Sequence, residues 1–161
     1  MTLQRFIPVA LILSLLSTAA CAQAVVDVKG AWARATVQGQ KASGAFMTLT
    51  AKDRVKLVGI SSPVAGVVEV HEMKMDGDIM KMRALANGLD LPAGKAVSLK
   101  PGGYHVMLMD LKLPLQKDTT IPMTLVFKDA KGAQSNLAIM VPVSTTAPAD
   151  ASAGGHADHK H

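Results

Sequence analysis

Short runs of apolar and β-branched residues alternate with polar turns between residues 25 and 143, and no useful stretch has the period of an amphipathic helix. Runs of this length, separated by Gly, Pro and Asp, are typical of β-strands. The pattern predicts ten strands, at 25–28, 31–36, 44–51, 55–61, 67–73, 79–84, 96–100, 105–111, 120–128 and 134–142. Many short strands at this spacing indicate a single all-β domain, a Greek-key sandwich or barrel.

Turn-forming residues mark the ends of several predicted strands, since Gly supplies left-handed dihedrals and Pro a fixed one. They occur at Asp76-Gly77-Asp78, Asn87-Gly88, Pro92-Ala93-Gly94 and Pro101-Gly102-Gly103. The first of these turns predicts a β-hairpin that brings the strands on either side of it together.

The first 24 residues have the features of a secretory signal peptide: Arg5 as the basic region, an apolar stretch at 6–16, and small residues after it. We therefore expect export, with cleavage after Ala22 or Ala24. The apolar stretch is shorter than the roughly 20 residues that a transmembrane helix needs. No membrane span is predicted there or later in the chain.

Cys21 is the only cysteine, and either cleavage removes it. The mature chain would then have no disulfide and no thiolate ligand. A rival interpretation makes Cys21 the lipidated first residue of a lipoprotein, because the two alanines before it fit such a processing site.

The formal charge of +5 is compatible with an acidic partner surface, but the basic residues are scattered and form no run. Three Phe, one Trp and one Tyr are too few for the stacking platform of a single-stranded nucleic-acid binder. Nucleic acid is therefore not a predicted partner.

Methionine and histidine are concentrated in one part of the predicted sheet. Six of the ten methionines lie between residues 73 and 109: Met73, Met75, Met80, Met82, Met107 and Met109. Both histidines of the predicted domain, His71 and His105, lie in the same part, each opening an H-x-M sequence. Alternation along a strand puts His71 on one face with Met73, and His105 on one face with Met107. Thioether and imidazole ligands without cysteine favour Cu(I).

The remaining methionines have a simpler interpretation, because an isolated methionine on a strand usually fills the core. We expect this of Met47, Met123 and Met140. Trp32 and Tyr104 are also expected to be packing residues. Arg34 is expected to pair with a carboxylate.

The sequences His71-Glu72-Met73, Met80-Lys81-Met82 and 101–109 (PGGYHVMLM) resemble the periplasmic copper chaperone family called PCuAC. Ten residues separate His71 from Met82, and 22 separate Met82 from His105, one more than is usual in the family. The segments 31–35 and 44–49 are also similar, so the resemblance covers approximately residues 25–143.

The resemblance implies a cupredoxin-like β-sandwich that binds one Cu(I) through His71, Met82, His105 and Met107. Met73 is a plausible auxiliary ligand, with Met80 and Met109 as further candidates. The resemblance also implies a periplasmic protein that delivers copper to the dinuclear copper centre of cytochrome c oxidase subunit II, directly or with a Sco-type protein. A monomer is expected. A periplasmic copper buffer is the alternative function with the same ligands.

After Val143 the composition changes to Ser, Thr, Ala, Pro, Gly and His, so residues 144–161 are expected to form a mobile tail. The tail contains His156, His159 and His161, and imidazole is a good Cu(II) ligand. These histidines form either a second, Cu(II) site or a solvated tail with incidental affinity.

Two other classes of protein fit the sequence less well. An electron-transfer cupredoxin needs a cysteine ligand, which the mature chain lacks. A metalloenzyme usually has three strong ligands and a nearby carboxylate base, but alternation puts Glu72 and Asp110 on the face opposite the predicted ligands. No G-x-S-x-G sequence occurs. No enzymatic activity is expected.

Overall fold

Ten β-strands make up the regular structure of residues 26–149, the part of the chain that the computed structural model describes. They are β1 (Val26–Arg34), β2 (Ala42–Ala51), β3 (Val55–Ser61), β4 (Ala65–Asp76), β5 (Ile79–Ala84), β6 (Leu89–Leu91), β7 (Ala96–Leu99), β8 (His105–Leu111), β9 (Thr120–Asp129) and β10 (Gln134–Ser144). The described residues contain no α-helix, so none that could cross a membrane.

All ten strands belong to one sheet, in the order β5-β4-β8-β2-β1-β10-β9-β3-β6, with β7 pairing to β2 beside β8. The first and last strands of the domain, β1 and β10, form its parallel pair at Ala33–Val143. The other strand pairs are antiparallel. The predicted all-β fold is therefore confirmed.

A single core holds the two halves of the sheet together. Leu49 on β2 and Leu108 on β8 come from one half, Leu57 on β3 and Phe127 on β9 from the other, and all four are fully buried. Side chains alternate along each strand, so the neighbours of core residues point out of the opposite face. On β8 this puts Val106 and Leu108 in the core and His105 and Met107 on the outer face.

Two strand predictions were wrong. Segments 25–28 and 31–36, predicted as separate strands, form the single strand β1, which continues through a bulge at Gly30 (φ 57°). Glycine permits this left-handed residue inside a strand. The strand β6 was not predicted, because three residues are too few to show a period, yet Leu89 and Leu91 are buried against β3.

The predicted turns have the backbone that their glycines allow. Gly77, Gly88, Gly94 and Gly102 all have positive φ. At Gly88 the requirement is also steric, since a Cβ atom there would collide with the carbonyl oxygen of Leu57. The turn at 76–78 closes a hairpin of β4 and β5, as predicted, with Asp76 opposite Ile79.

Candidate metal centre

The two histidines of the described chain face each other across neighbouring strands. His71 on β4 is directly opposite His105 on β8, and their ring centroids are 6.0 Å apart. Both point away from the core, since Val70 and Val106, one residue earlier and later, form the buried pair beside them. The two residues are nevertheless only 9% and 7% exposed. The two H-x-M sequences are therefore adjacent in space.

The β4–β5 hairpin adds two facing pairs of methionines. Met73 is opposite Met82, and Met75 is opposite Met80. Met82 is 50% exposed, although it lies on the same face as the buried histidines. Near the hairpin tip, the Lys81 ammonium donates to Asp76 at 2.6 Å, an exposed ion pair between the two strands.

His105 is held by the loop before it and contacts the hairpin. Its Nδ1 donates to the carbonyl oxygen of Gly103 at 2.9 Å, and the same oxygen accepts a bond from the Met73 amide at 3.3 Å. Its Nε2 lies 3.2 Å from the sulfur of Met82. The turn at 101–103 thus fixes the ring so that its free nitrogen faces a thioether.

His71 has a different partner. Its Nε2 lies 3.0 Å from Oε2 of Glu69, two residues earlier on the same strand face. Its Nδ1 is buried and has no hydrogen-bond partner among the described residues. Glu69 was not predicted as a site residue, although alternation puts it on the same strand face as His71; Glu72 and Asp110 were the predicted carboxylates beside the ligands. Glu72 is on the other face, paired with Arg83.

Met107 completes the set on β8. It is half-buried and directly opposite Glu69 on β4 and Gly44 on β2. A shallow cavity of about 240 Å³ lies on this face, and its lining includes Phe46, Met73, His105 and Met107. The four predicted ligands therefore lie on one face of three adjacent strands.

The aromatic and basic residues near this cavity differ in part from prediction. Trp32 is buried against Phe46, with ring centroids 4.8 Å apart, as expected of a packing residue. Arg34 was expected to pair with a carboxylate, but its guanidinium lies 5.7 Å from the Phe46 ring centroid, a cation–π contact, and no carboxylate is within ion-pair distance among the described residues. Tyr104 is 36% exposed.

The other candidate ligands lie farther away. Met80 is two residues before Met82 on β5 and faces Met75, nearer the hairpin turn. Met109 is four residues along β8 from His105, roughly 13 Å at the usual rise of a strand. His156, His159 and His161 are outside the described residues.

Of the methionines predicted to fill the core, Met47 and Met123 are buried. Met140 is 60% exposed, so that prediction was wrong. Ile139 and Val141 take the inward positions of β10 on either side of it, and alternation turns Met140 outward.

The donor atoms of the centre are two imidazole nitrogens and neutral sulfurs. Within residues 26–149, no three His, Cys, Asp or Glu side chains form a group that could hold a metal ion. A metal here would therefore need the methionine sulfurs. Thioethers are soft ligands, which bind Cu(I) in preference to hard cations such as Mg²⁺ or Ca²⁺.

The sequence of this domain matches a known protein family. A family model described as "Putative lipoprotein LpqE-like" matches residues 26–143. The "Putative lipoprotein Lxx21020" of Leifsonia xyli subsp. xyli is 34% identical over 116 residues, 72% of this chain and 69% of the relative.

Two solved structures have the same fold. The solution structure of CuI-DR1885 from Deinococcus radiodurans is 32% identical, with a TM-score of 0.58 over 79% of this chain and 84% of that one. The copper-bound PCuAC domain from PmoF2 has a TM-score of 0.59 over 78% and 97% of the chains; at 24% identity it supports the fold alone. The chain belongs to the LpqE-like family of PCuAC domains and has their cupredoxin-like β fold.

Proposed function

We propose that this protein is an exported copper carrier, which binds one Cu(I) through His71, Met82, His105 and Met107 and passes it to another protein. Copper is the cargo of the protein and not a resident cofactor. The observation that carries the proposal is the 3.2 Å contact between Nε2 of His105 and the sulfur of Met82. Two lone-pair donors face each other there, from strands that are not neighbours in the sheet.

The spacing of these atoms suits a metal ion. Taking zinc bond lengths as a guide, about 2.0 Å to nitrogen and 2.3 Å to sulfur, two tetrahedral ligands of one ion lie about 3.5 Å apart. The observed distance needs an adjustment of only a few tenths of an ångström. Met73, which faces Met82 and lines the cavity with His105 and Met107, is the proposed auxiliary ligand, with Met80 and Met109 as more distant candidates.

The chemistry of the donors supports transfer. All four ligands are neutral when they bind, so the complex keeps the single charge of Cu(I) and lacks the strong thiolate bond that would slow release. Met82 is half exposed on β5, which pairs with β4 alone among the described strands, and this leaves an approach for an acceptor. The acceptor that we propose is the dinuclear copper site of cytochrome c oxidase subunit II, reached directly or through a Sco-type protein.

Export follows from the signal-like first 24 residues, and the proposed compartment is the periplasm. The word lipoprotein in the names of the family and of the Leifsonia relative supports export and keeps the lipidated Cys21 as a second form of the mature protein. The tail histidines His156, His159 and His161 are proposed as a separate, weaker Cu(II) site.

The test of binding is a Cu(I) titration of the mature protein against a competing chromophoric chelator. We expect one tight equivalent in the wild type, and its loss in a His105→Ala, Met107→Ala double variant. Unchanged binding in the folded double variant would refute the assignment of the ligands.

The test of delivery mixes the Cu(I)-loaded protein with the soluble copper domain of oxidase subunit II, with and without a reduced Sco-type protein. Appearance of the mixed-valence dinuclear copper spectrum in the acceptor, after a mild oxidant has removed one electron from the delivered Cu(I) pair, supports the chaperone function. If the protein binds Cu(I) tightly and transfers none in either mixture, it is a copper buffer.

A further inference from the structure

Glu69 makes the only side-chain hydrogen bond of His71 among the described residues, and the bond has a consequence for the metal-binding atom. The two oxygens of a carboxylate only accept hydrogen bonds. Nε2 of His71, 3.0 Å from Oε2 of Glu69, must therefore carry the proton. In a neutral imidazole the other nitrogen, Nδ1, then has the lone pair.

The surroundings of Nδ1 agree with a lone pair. This atom is buried and has no hydrogen-bond partner in the described chain. A proton on Nδ1 would make the ring a cation with a buried N–H that has no acceptor, and a buried polar group left unpaired is costly. A lone pair on the buried Nδ1 costs less free energy than an N–H without an acceptor, and a lone pair is what a soft cation would bind.

His105 has the opposite arrangement. The carbonyl oxygen of Gly103 accepts from Nδ1 at 2.9 Å, so the lone pair of this ring is on Nε2. That nitrogen faces the sulfur of Met82. The two histidines, although directly opposite each other, are thus held in different tautomers by different acceptors.

We infer that Glu69 is a positioning residue of the copper site: it fixes His71 in the Nε2–H tautomer, so that His71 binds Cu(I) through Nδ1 and His105 binds through Nε2. The inference rests on the proposed copper function. A carboxylate that accepts from the remote nitrogen of a ligating histidine orients the ring and makes it a stronger donor.

The location of Glu69 explains how it can act without binding copper itself. It is two residues from His71 on the same strand face, and its side chain is 43% exposed. A carboxylate is a hard ligand that Cu(I) does not favour over thioether and imidazole. Met107 on β8 is directly opposite Glu69 on β4, and its sulfur is the soft donor beside this carboxylate.

The first measurement is the long-range ¹H–¹⁵N spectrum of the histidine rings in the apo protein and after one equivalent of Cu(I). We expect the Nε2–H tautomer for His71 and the Nδ1–H tautomer for His105, with Cu(I) shifting Nδ1 of His71 and Nε2 of His105. A lone pair on Nε2 of His71 in the apo protein, or a Cu(I) shift at that atom, would overturn the inference.

The second measurement is the Cu(I) affinity of Glu69 variants that remain folded by their amide spectra. E69A should lose about 10–100-fold in affinity, as is usual when the partner of a ligating histidine is removed, and should show a mixture of His71 tautomers. E69Q retains an amide oxygen that can accept, so it should keep the tautomer and lose less affinity. E72A is the matched control: Glu72 is on the same strand but on the other face, bonded to Arg83, and its loss should change neither quantity.

The outcomes separate the two proposals. Wild-type binding of Cu(I) that disappears in H71A and is unchanged in E69A overturns the role of Glu69 and leaves the copper function standing. A wild type that takes up no Cu(I) overturns both.

Discussion

His71 and His105 form a directly opposed pair on β4 and β8, with ring centroids 6.0 Å apart. Both strands are interior in this part of the sheet, since β4 lies between β5 and β8, and β8 lies between β4 and β2. The register of these two strands therefore fixes the positions of both imidazole rings. The methionine that contacts His105, by contrast, comes from the terminal strand β5.

Replacing Met82 should lower the affinity for Cu(I) and leave the stability of the fold unchanged. We expect Met82→Ala to lower Cu(I) affinity at least tenfold, because it removes the sulfur next to His105 Nε2. The free energy of unfolding should change by less than about 0.5 kcal/mol, as is usual for an exposed position. Chelator competition and urea unfolding measure the two effects.

Met140→Ala is the matched control for that variant. Met140 is similarly exposed, at 60% against 50%, and lies on β10, away from the three strands of the site. It should retain wild-type affinity and stability. Equal losses of affinity in the two variants would mean that Met82 has no specific role.

Met123→Ala should have the reverse effect. Its side chain is 1% exposed in the core, so the cavity left behind should lower the free energy of unfolding by about 2–5 kcal/mol. The folded fraction should still bind one Cu(I), since Met123 is on the inner face of β9. Urea unfolding with a parallel Cu(I) titration checks this, and a destabilisation below 1 kcal/mol would contradict the burial.

Removing the tail tests the second site. A chain that ends after residue 149 retains Ser144, whose carbonyl oxygen accepts from the Ala35 amide at 2.8 Å. We expect this truncation to keep the tight Cu(I) equivalent and to lose the weaker Cu(II) binding. Full-length protein with His156, His159 and His161 replaced by alanine should behave in the same way. Cu(II) binding that survives both changes would exclude the tail as its site.

Hydrogen exchange should show which side of the site is less stable. The side chains of β5 are all exposed and its backbone pairs with β4 alone among the described strands, whereas β8 is paired on both sides. We expect β5 amides to be at least tenfold less protected than β8 amides in the apo protein, because few buried contacts oppose local opening. Cu(I) should raise the protection of β5 most, since Met82 is its link to His105. Equal protection of the two strands would contradict this expectation.

The local parts of this fold could be predicted from the sequence. The strands β3, β5 and β8, the hairpin turn and the facing methionines of β4 and β5 all follow from alternation and turn chemistry, which act over a few residues. His71 and His105 are 34 residues apart in the sequence, and their pairing depends on the register between β4 and β8. The hydrophobic periodicity within each strand carries no information about the register between distant strands.

The exceptions have physical reasons as well. Methionine is apolar enough for the core and flexible enough for the surface, so its identity alone could not show that Met140 points outward. Glu69 was missed because an acidic residue two positions from a histidine is unremarkable until the ring is seen to turn toward it.

Among the described strands, β5 pairs with β4 alone, whereas β8 is paired on both sides. In the proposed copper site, this difference affects the rate at which copper leaves more than the affinity with which it is held. In the proposed site, the donor on β5, which pairs with β4 alone among the described strands, could be replaced by an incoming ligand without disturbing the rest of the sheet, while His71, His105 and Met107 would hold the ion. Exchange would then proceed through an intermediate shared by the two proteins, in which a ligand of the acceptor takes the position of Met82 first. Substitutions in the β4–β5 turn would alter the rate of this exchange more than the equilibrium affinity, because they change how often the strand opens and leave the donor atoms in place.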